Sequence, residues 1–247
     1  MKYSENFRTK WHDTDSCHFL RPSAILMYMQ ETGNHQCREY GMDLNDLYHN
    51  DGLGFLLSKV QARIYAPLFA YEDITVSTWC CESRGLSFLR CFEIKRGDET
   101  VAQALSTWAL LDVKSSSLVK VSDFKREFPM DEMLDMSSLP PRVRIPSSVE
   151  LEMCGKRKIV YSDIDFNGHM NNTKYPDMVC DFLPDMKDRW VSAFSLSYLK
   201  EGTYGNTLDV YRASVAADLG DEAYLVKTVR PDGATCLEAQ INLSRKV

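Results

Sequence analysis

The stretch Tyr161–Tyr175, YSDIDFNGHMNNTKY, gathers carboxylates, amides and an imidazole more densely than any other part of the chain. Read as extended, its period of two places Asp163, Asp165, Asn167 and His169 on one face, with Ile164 and Phe166 on the other. Such a row can move a proton, orient water and polarise a carbonyl. Gly168 relaxes the backbone ahead of His169, and Asn171 and Asn172 offer N-caps for a helix through Tyr175, Met178, Val179 and Phe182 to Pro184. The start of that helix would present unpaired N–H groups to a carbonyl oxygen becoming an oxyanion. An Asn/Asp/Gly-rich turn before a helix is also ordinary capping chemistry, so composition alone leaves both readings open.

The order Asp165, Asn167, His169, Asn171, Asn172 resembles the D-x-N-x-H-x-N-N motif of the acyl-[acyl carrier protein] thioesterases, fatty-acid-releasing enzymes of plastids and many bacteria. In that family a glutamate follows further along, after a strand, and Glu201 in SLSYLKEG stands where it is expected. The resemblance implies hydrolysis of a fatty acyl thioester, with Asp165, Asn167, His169 and Glu201 catalytic and Asn171 and Asn172 beside the substrate. It also implies an acyl carrier protein as partner; no metal-ligand cluster is visible in the sequence, so neither cofactor nor metal is expected. Glu201 is then expected to be a partly desolvated general base on water, with Asn167 and His169 positioning the thioester or the water. Asp165 would orient the neighbouring amide or imidazole, and exchange of the Asp165 and Glu201 roles stays open. In many plant members a cysteine directly follows the glutamate, and a papain-like triad was once ascribed to them; here that position is Gly202, and the nearest thiol, Cys180, lies along the helix. Direct attack by water is the expectation.

Other chemistries use similar residues. An acyl-CoA thioesterase breaks the same bond, a hotdog hydratase would use an Asp/His pair to add water to a conjugated double bond, and a non-catalytic module would only bind an acyl thioester. The last commonly adds a DNA-binding helix-turn-helix, and no basic candidate for one is visible. His12, His18, His35 and His49 are rival imidazoles without comparable neighbours, and they read as structural or exposed.

A hydrophobic fraction of 44% and a charged fraction of 26% are those of an ordinary soluble protein. The formal net charge of -6 disfavours nucleic-acid binding and weakly opposes an acidic partner unless basic residues gather locally, as Lys156, Arg157 and Lys158 do on what reads as a solvated face. The opening MKYSENFRTKW shows neither a secretory signal nor a membrane anchor, so a cytoplasmic location without membrane contact is expected. The eight cysteines lack C-x-x-C or zinc spacing and read as reduced, mostly buried thiols.

The elements that must hold the site read as one unit written twice. Phe7–Asp15 reads as a short strand ending in WHDTD, and YSDID returns 150 residues later. Each copy is followed by a helix, the first opening at Arg21-Pro22-Ser23 and ending near Gly41. Residues 55–79 resemble Val191–Val210; Leu86–Lys95 and Thr100–Val113 flank Arg96-Gly97-Asp98, as Tyr224–Val229 and Thr235–Leu243 flank Pro231-Asp232-Gly233. Between Glu127 and Val149, four prolines and four serines without sustained period mark a linker. The expected division is residues 1–130, linker 131–149, and residues 150–247. The fold class is α+β with duplication, and the resemblance implies a tandem (double) hotdog, each half a long helix wrapped by a curved antiparallel sheet. In the first copy Asp15 is kept, but Cys17, Phe19 and Pro67 stand opposite Asn167, His169 and Glu201. The first half is thus expected to bind acyl chain, with Met27, Met29 and Phe55 (and Tyr28 and Leu57) as pocket candidates, and the second to react. A homodimer is a further expectation.

Overall fold

Two strands, β2 (Leu53–Ile64) and β8 (Arg189–Tyr198), pair antiparallel at the centre of the molecule, from Lys59↔Ser197 to Arg63↔Ala193. Outward from this joint the two halves repeat each other. On one side lie β5 (Glu99–Asp112), β4 (Ser87–Arg96), β3 (Asp73–Arg84) and β1 (Tyr3–Arg8). On the other lie β11 (Thr235–Arg245), β10 (Glu222–Val229), β9 (Thr207–Val215) and β7 (Glu152–Lys158). A short β6 (Ser117–Val119) pairs with β5. Each side therefore runs second, fifth, fourth, third, first in its own strand order, which is the duplication read in the sequence. The computed structural model describes residues 2–245.

Each sheet half closes over a helix, α1 (Pro22–Glu39) in the first unit and α3 (Lys174–Asp181) in the second; α2 (Leu44–His49) follows α1. The molecule is the tandem hotdog expected. Alternation does the packing: Val60, Ala62 and Ile64 of β2 enter the core with Ile25, Met29 and Phe194, while Gln61 between them faces outward. The Pro/Ser-rich stretch crosses that outer face. Gln61 Nε2 donates to the Pro140 carbonyl at 2.7 Å, and Ser195 and Ser197, two apart on β8, bind the N–H and C=O of Val143. Small polar residues there let the segment lie flat against the sheet with its backbone groups satisfied.

Several local expectations are corrected. The first strand stops at Arg8 and Trp11–Asp13 is a 3-10 turn, residues 65–72 break the 55–79 run, and 199–206 break the Val191–Val210 run. Helix α3 ends at Asp181, before Pro184, which disfavours helical geometry in the residue ahead of it.

Helix α1 carries no side-chain cap of its own; Asp177 of α3 supplies one, its carboxylate accepting from the Ser23 N–H at 3.0 Å and from the Ser23 hydroxyl. Burial pushes the Asp177 carboxyl up against the opposing pull of Ser23, Arg21 and Lys174, and Asp181 is raised by burial and by Asp177. The folded state then holds this proton more tightly than the unfolded one, so Asp177's contribution is fullest below the ordinary carboxylate range and is lost as pH rises through the raised value. Asp177→Asn keeps an acceptor for Ser23 but not the titration. Its melting temperature relative to wild type is expected to climb as pH rises above the ordinary carboxylate value, and a gap that stays constant with pH would contradict the assignment.

Candidate active site

The residues of the 161–172 segment do not form a strand. Tyr161–Asp163 is a 3-10 turn, and the buried Asp163 carboxylate is clamped by Arg157 Nη2 at 2.7 and 2.9 Å and by the Val160 N–H at 2.9 Å. Arg157 is thus a structural partner rather than part of a solvated face, while Lys156 pairs with Asp209. Ile164 bridges to Met170, and the chain between them turns tightly, with Asp165 N donating to His169 O at 2.9 Å and Gly168 N to Asp165 O at 3.0 Å. The Asp165 side chain accepts from the Asn167 N–H at 2.9 Å, and Gly168 takes φ 79°, a conformation that glycine adopts without a side-chain penalty. The expected single polar face is therefore overturned. Asp163 points inward, Asp165 fixes the loop, and Asn167 stands exposed at the tip, its side-chain amide free of protein partners among the described residues.

The loop is stitched to the turn after β8. Met170 N donates to Gly202 O at 2.8 Å and His169 bridges Thr203, so the main chain brings Glu201 to His169. His169 Nε2 and Glu201 Oε2 lie 3.9 Å apart, with side chains 36% and 57% exposed. The partial burial expected of Glu201 is not supplied by the protein's own walls. A water molecule can reach both groups, and 3.9 Å leaves each free to change partner during a reaction. Arg230 Nη1 donates to the Glu201 carbonyl at 3.3 Å. Beneath it, buried Tyr175, its phenol pushed up by burial, takes a hydrogen bond from the Gly202 backbone.

Asn171 and Asn172 do not cap the helix. Asn171 Oδ1 accepts from the Thr173 N–H and hydroxyl, Lys174 N donates to Asn171 O, and α3 starts only at Lys174. The N–H groups of Thr173 and Lys174, expected for an oxyanion, are engaged locally. Asn172 instead joins the two units: its Oδ1 accepts from Gln30 Nε2 of α1 at 2.8 Å and its carbonyl from the Tyr198 hydroxyl at 2.9 Å. Phe166 at the loop tip meets the edge of Tyr48 at 6.0 Å.

Gln30 also lines a cavity of about 490 Å³ in the first unit, between α1 and strands β2 to β5, walled by Phe55, Phe88, Phe92, Trp108 and Phe124. Of the pocket residues expected from the sequence, Phe55 lines it and Met27 and Met29 do not; Met29 is 1% exposed in the core and Met27 is 46% exposed on the surface. The expectation missed Gln30 and the β4 aromatics, although the alternation of Phe88, Arg90 and Phe92 along one strand face was there to be read.

The first unit repeats the loop without its chemistry. Thr14 bridges Leu20, Asp15 N donates to Phe19 O at 2.8 Å, Asp15 Oδ1 accepts from Cys17 N, and Leu20 N donates to Leu68 O at 2.7 Å, each bond 150 or 134 residues from its counterpart. Where His169 reaches solvent, Phe19 is 2% exposed. Among the rivals, His35 is held between Glu5 and Glu31. The Cys180 thiol is pushed up by burial, with Asp177 and Asp181 adding to the effect. Among the described residues no cluster of His, Cys, Asp and Glu could hold a metal, and no helix is long and apolar enough to cross a membrane.

Two family models match, the acyl-ACP thioesterase N-terminal domain over residues 1–127 and the acyl-ACP thioesterase C-terminal domain over residues 149–244. The chain is 21% identical over 255 residues to a chloroplastic oleoyl-acyl carrier protein thioesterase of Coriandrum sativum, covering 94% of this chain and 67% of that one. It spans between 52% and 67% of the length of such plant relatives. Among solved structures, an acyl-ACP thioesterase from Bacteroides thetaiotaomicron superposes with a TM-score of 0.82 at 18% identity, covering 98% of both chains. The 12:0-ACP thioesterase from Umbellularia californica gives 0.84 at 16% identity, covering 99% of this chain and 94% of that one. At these identities the likeness establishes the double hotdog fold. Matched in both of its halves, the chain belongs to the acyl-ACP thioesterase family.

Proposed function

We propose that this protein hydrolyses the thioester of a fatty acyl-[acyl carrier protein], releasing the fatty acid and ending chain elongation. The observation that carries this reading is the 3.9 Å approach of His169 and Glu201, on a loop tied through Asn172 and Gln30 to the apolar cavity. Its volume, about 490 Å³, is that of an ordinary small-molecule site. Glu201 takes a proton from water as the water oxygen bonds to the thioester carbon. Collapse of the tetrahedral species then breaks the C–S bond, and the proton passes to the departing thiolate. The exposed side-chain amide of Asn167 donates to the carbonyl oxygen, His169 holds the water, and Asp165 keeps the loop in shape through the Asn167 N–H.

In this reading residues 1–130 hold the acyl chain, 131–149 link, and 150–247 react. Phe55 keeps its expected place against the chain, and Asn171 and Asn172 act by shaping the loop. Exposed Lys174 and Lys200, close in sequence to Asn172 and Glu201, give an acidic carrier a local basic rim despite the net charge of -6. A cytoplasmic setting and a homodimer complete the proposal; light scattering tests the dimer.

The experiment is thiol release over a chain-length series of acyl carrier protein substrates, run beside matched acyl-CoA. Preference for CoA would shift the partner, loss of enoyl absorbance without thiol would indicate a hydratase, and binding without turnover would indicate a carrier. Cys180→Ala is expected to retain turnover within about twofold, because a partly buried thiol whose pKa is raised supplies little thiolate. Loss of activity in a folded Cys180→Ala protein would restore the covalent route.

A further inference from the structure

The wall of the acyl cavity carries one feature that a plain hydrocarbon does not need. Arg90 of β4 projects among Phe88, Phe92 and Phe124, and its guanidinium lies against the bare Cα of Gly33, where a side chain would meet Arg90 Cδ at 3.5 Å. A Cβ at Gly33 would stand in ordinary van der Waals contact with Arg90, so this turn of α1 packs directly on the cation. Nη1 donates to Gln36 Oε1 and, at 3.2 Å, to Thr78 Oγ1; Nη2 reaches only the Cys37 sulfur, at 3.4 Å. All three acceptors are neutral. Among the described residues no carboxylate stands within ion-pair distance of Arg90, and Glu127, the carboxylate on the cavity wall, is solvent-exposed. Among the described residues the Nε–H and one Nη2–H have no protein acceptor. Around them, burial pushes the Cys37 and Cys80 thiols up while the Arg90 charge opposes it.

An alkyl chain filling this space would displace the water that solvates a permanent cation and offer it nothing in return. We infer that Arg90 selects acyl chains bearing an oxygen function, a hydroxyl or oxo group, which accepts the unpaired guanidinium hydrogens. The inference rests on the thioesterase reading and names its substrate class. Gln30, which binds the reactive loop through Asn172, precedes Gly33 by three residues, about 4.5 Å of helix rise. The oxygen thus meets Arg90 along the chain on the cavity wall. Sites that hydrogen-bond a substrate hydroxyl discriminate strongly against the analogue lacking it.

The test compares kcat/KM for thioesters of one chain length, unsubstituted or hydroxylated at successive carbons, in wild type, Arg90→Met and Arg90→Lys. At one position the hydroxylated chain is expected to be preferred by about tenfold or more, with the ratio near one in Arg90→Met and partly kept in Arg90→Lys. Equal rates at every position in wild type, or a preference that survives Arg90→Met, would overturn the inference. Calorimetry of Glu201→Gln with the free plain and hydroxy acids separates the two proposals. If no thioester is cleaved, yet hydroxy acids bind in preference and lose that preference on adding Arg90→Met, the hydrolase reading falls and the Arg90 assignment stands. Equal binding of both acids removes the assignment whatever the turnover.

Discussion

Glu201→Gln is expected to lower kcat/KM for thioester hydrolysis by about a hundred- to ten-thousandfold, the span assignable to a lost general base. The amide preserves size and shape, and the main-chain bond from Met170 N to Gly202 O at 2.8 Å does not involve the side chain. With the Glu201 side chain 57% exposed, stability should move by no more than about 0.5 kcal/mol. Binding should survive, because the cavity lies in the other unit, so the loss belongs in kcat and not in KM. His169→Ala should cost a comparable factor, and the double variant little more than either alone, since groups serving one water are not additive. Single-turnover thiol release with melting curves on all three proteins measures this. A Glu201→Gln protein with near-wild-type kcat would transfer the base role to Asp165, the exchange that the sequence left open.

The meeting of His169 and Glu201 was legible only through the family resemblance; what brings it about is a duplicated main-chain bond, Leu20 N to Leu68 O in the first unit recurring as Met170 N to Gly202 O in the second. The loop conformation was not. D-I-D-F-N-G-H alternates as a strand does, but the Asp165 carboxylate binds the Asn167 N–H and competes with extended pairing, a contest that periodicity does not register. The caps failed for a related reason. Asn171 spends its side chain on Thr173, and Asp177 caps a helix 154 residues away in sequence, a contact that exists only after the units dock. Met27 and Met29 illustrate the same limit, since neighbouring positions on one helix went to opposite fates once the sheet closed on one face. The cavity needed walls from α1, β2 to β5 and the 121–130 segment together, and no single stretch announces that.

Gly202→Cys, which restores the thiol found beside the glutamate in many plant members of the family, should damage the enzyme and not create a nucleophile. A Cβ at this position would lie 2.5 Å from Ile159 Cδ1 and 2.9 Å from Tyr175 Oη. Ile159 is fully buried and Tyr175 is 3% exposed, so neither can step aside without disturbing the second unit's core. Overpacking of this kind costs about 1–3 kcal/mol, or a melting temperature lower by roughly 2–12 °C in a chain of this size. The displaced backbone carries Glu201 on one side and the Met170 and Thr203 pairings on the other, so the Glu201 carboxylate moves away from His169. Shifts of an ångström at such a group are worth about a hundredfold in rate. Gly202→Ala shares the clash without the sulfur and should lose as much, which separates steric damage from thiol chemistry. Turnover in Gly202→Cys that exceeds Gly202→Ala and disappears on alkylation would mean that the site accepts a covalent route, and the preference for direct attack by water would have to be abandoned.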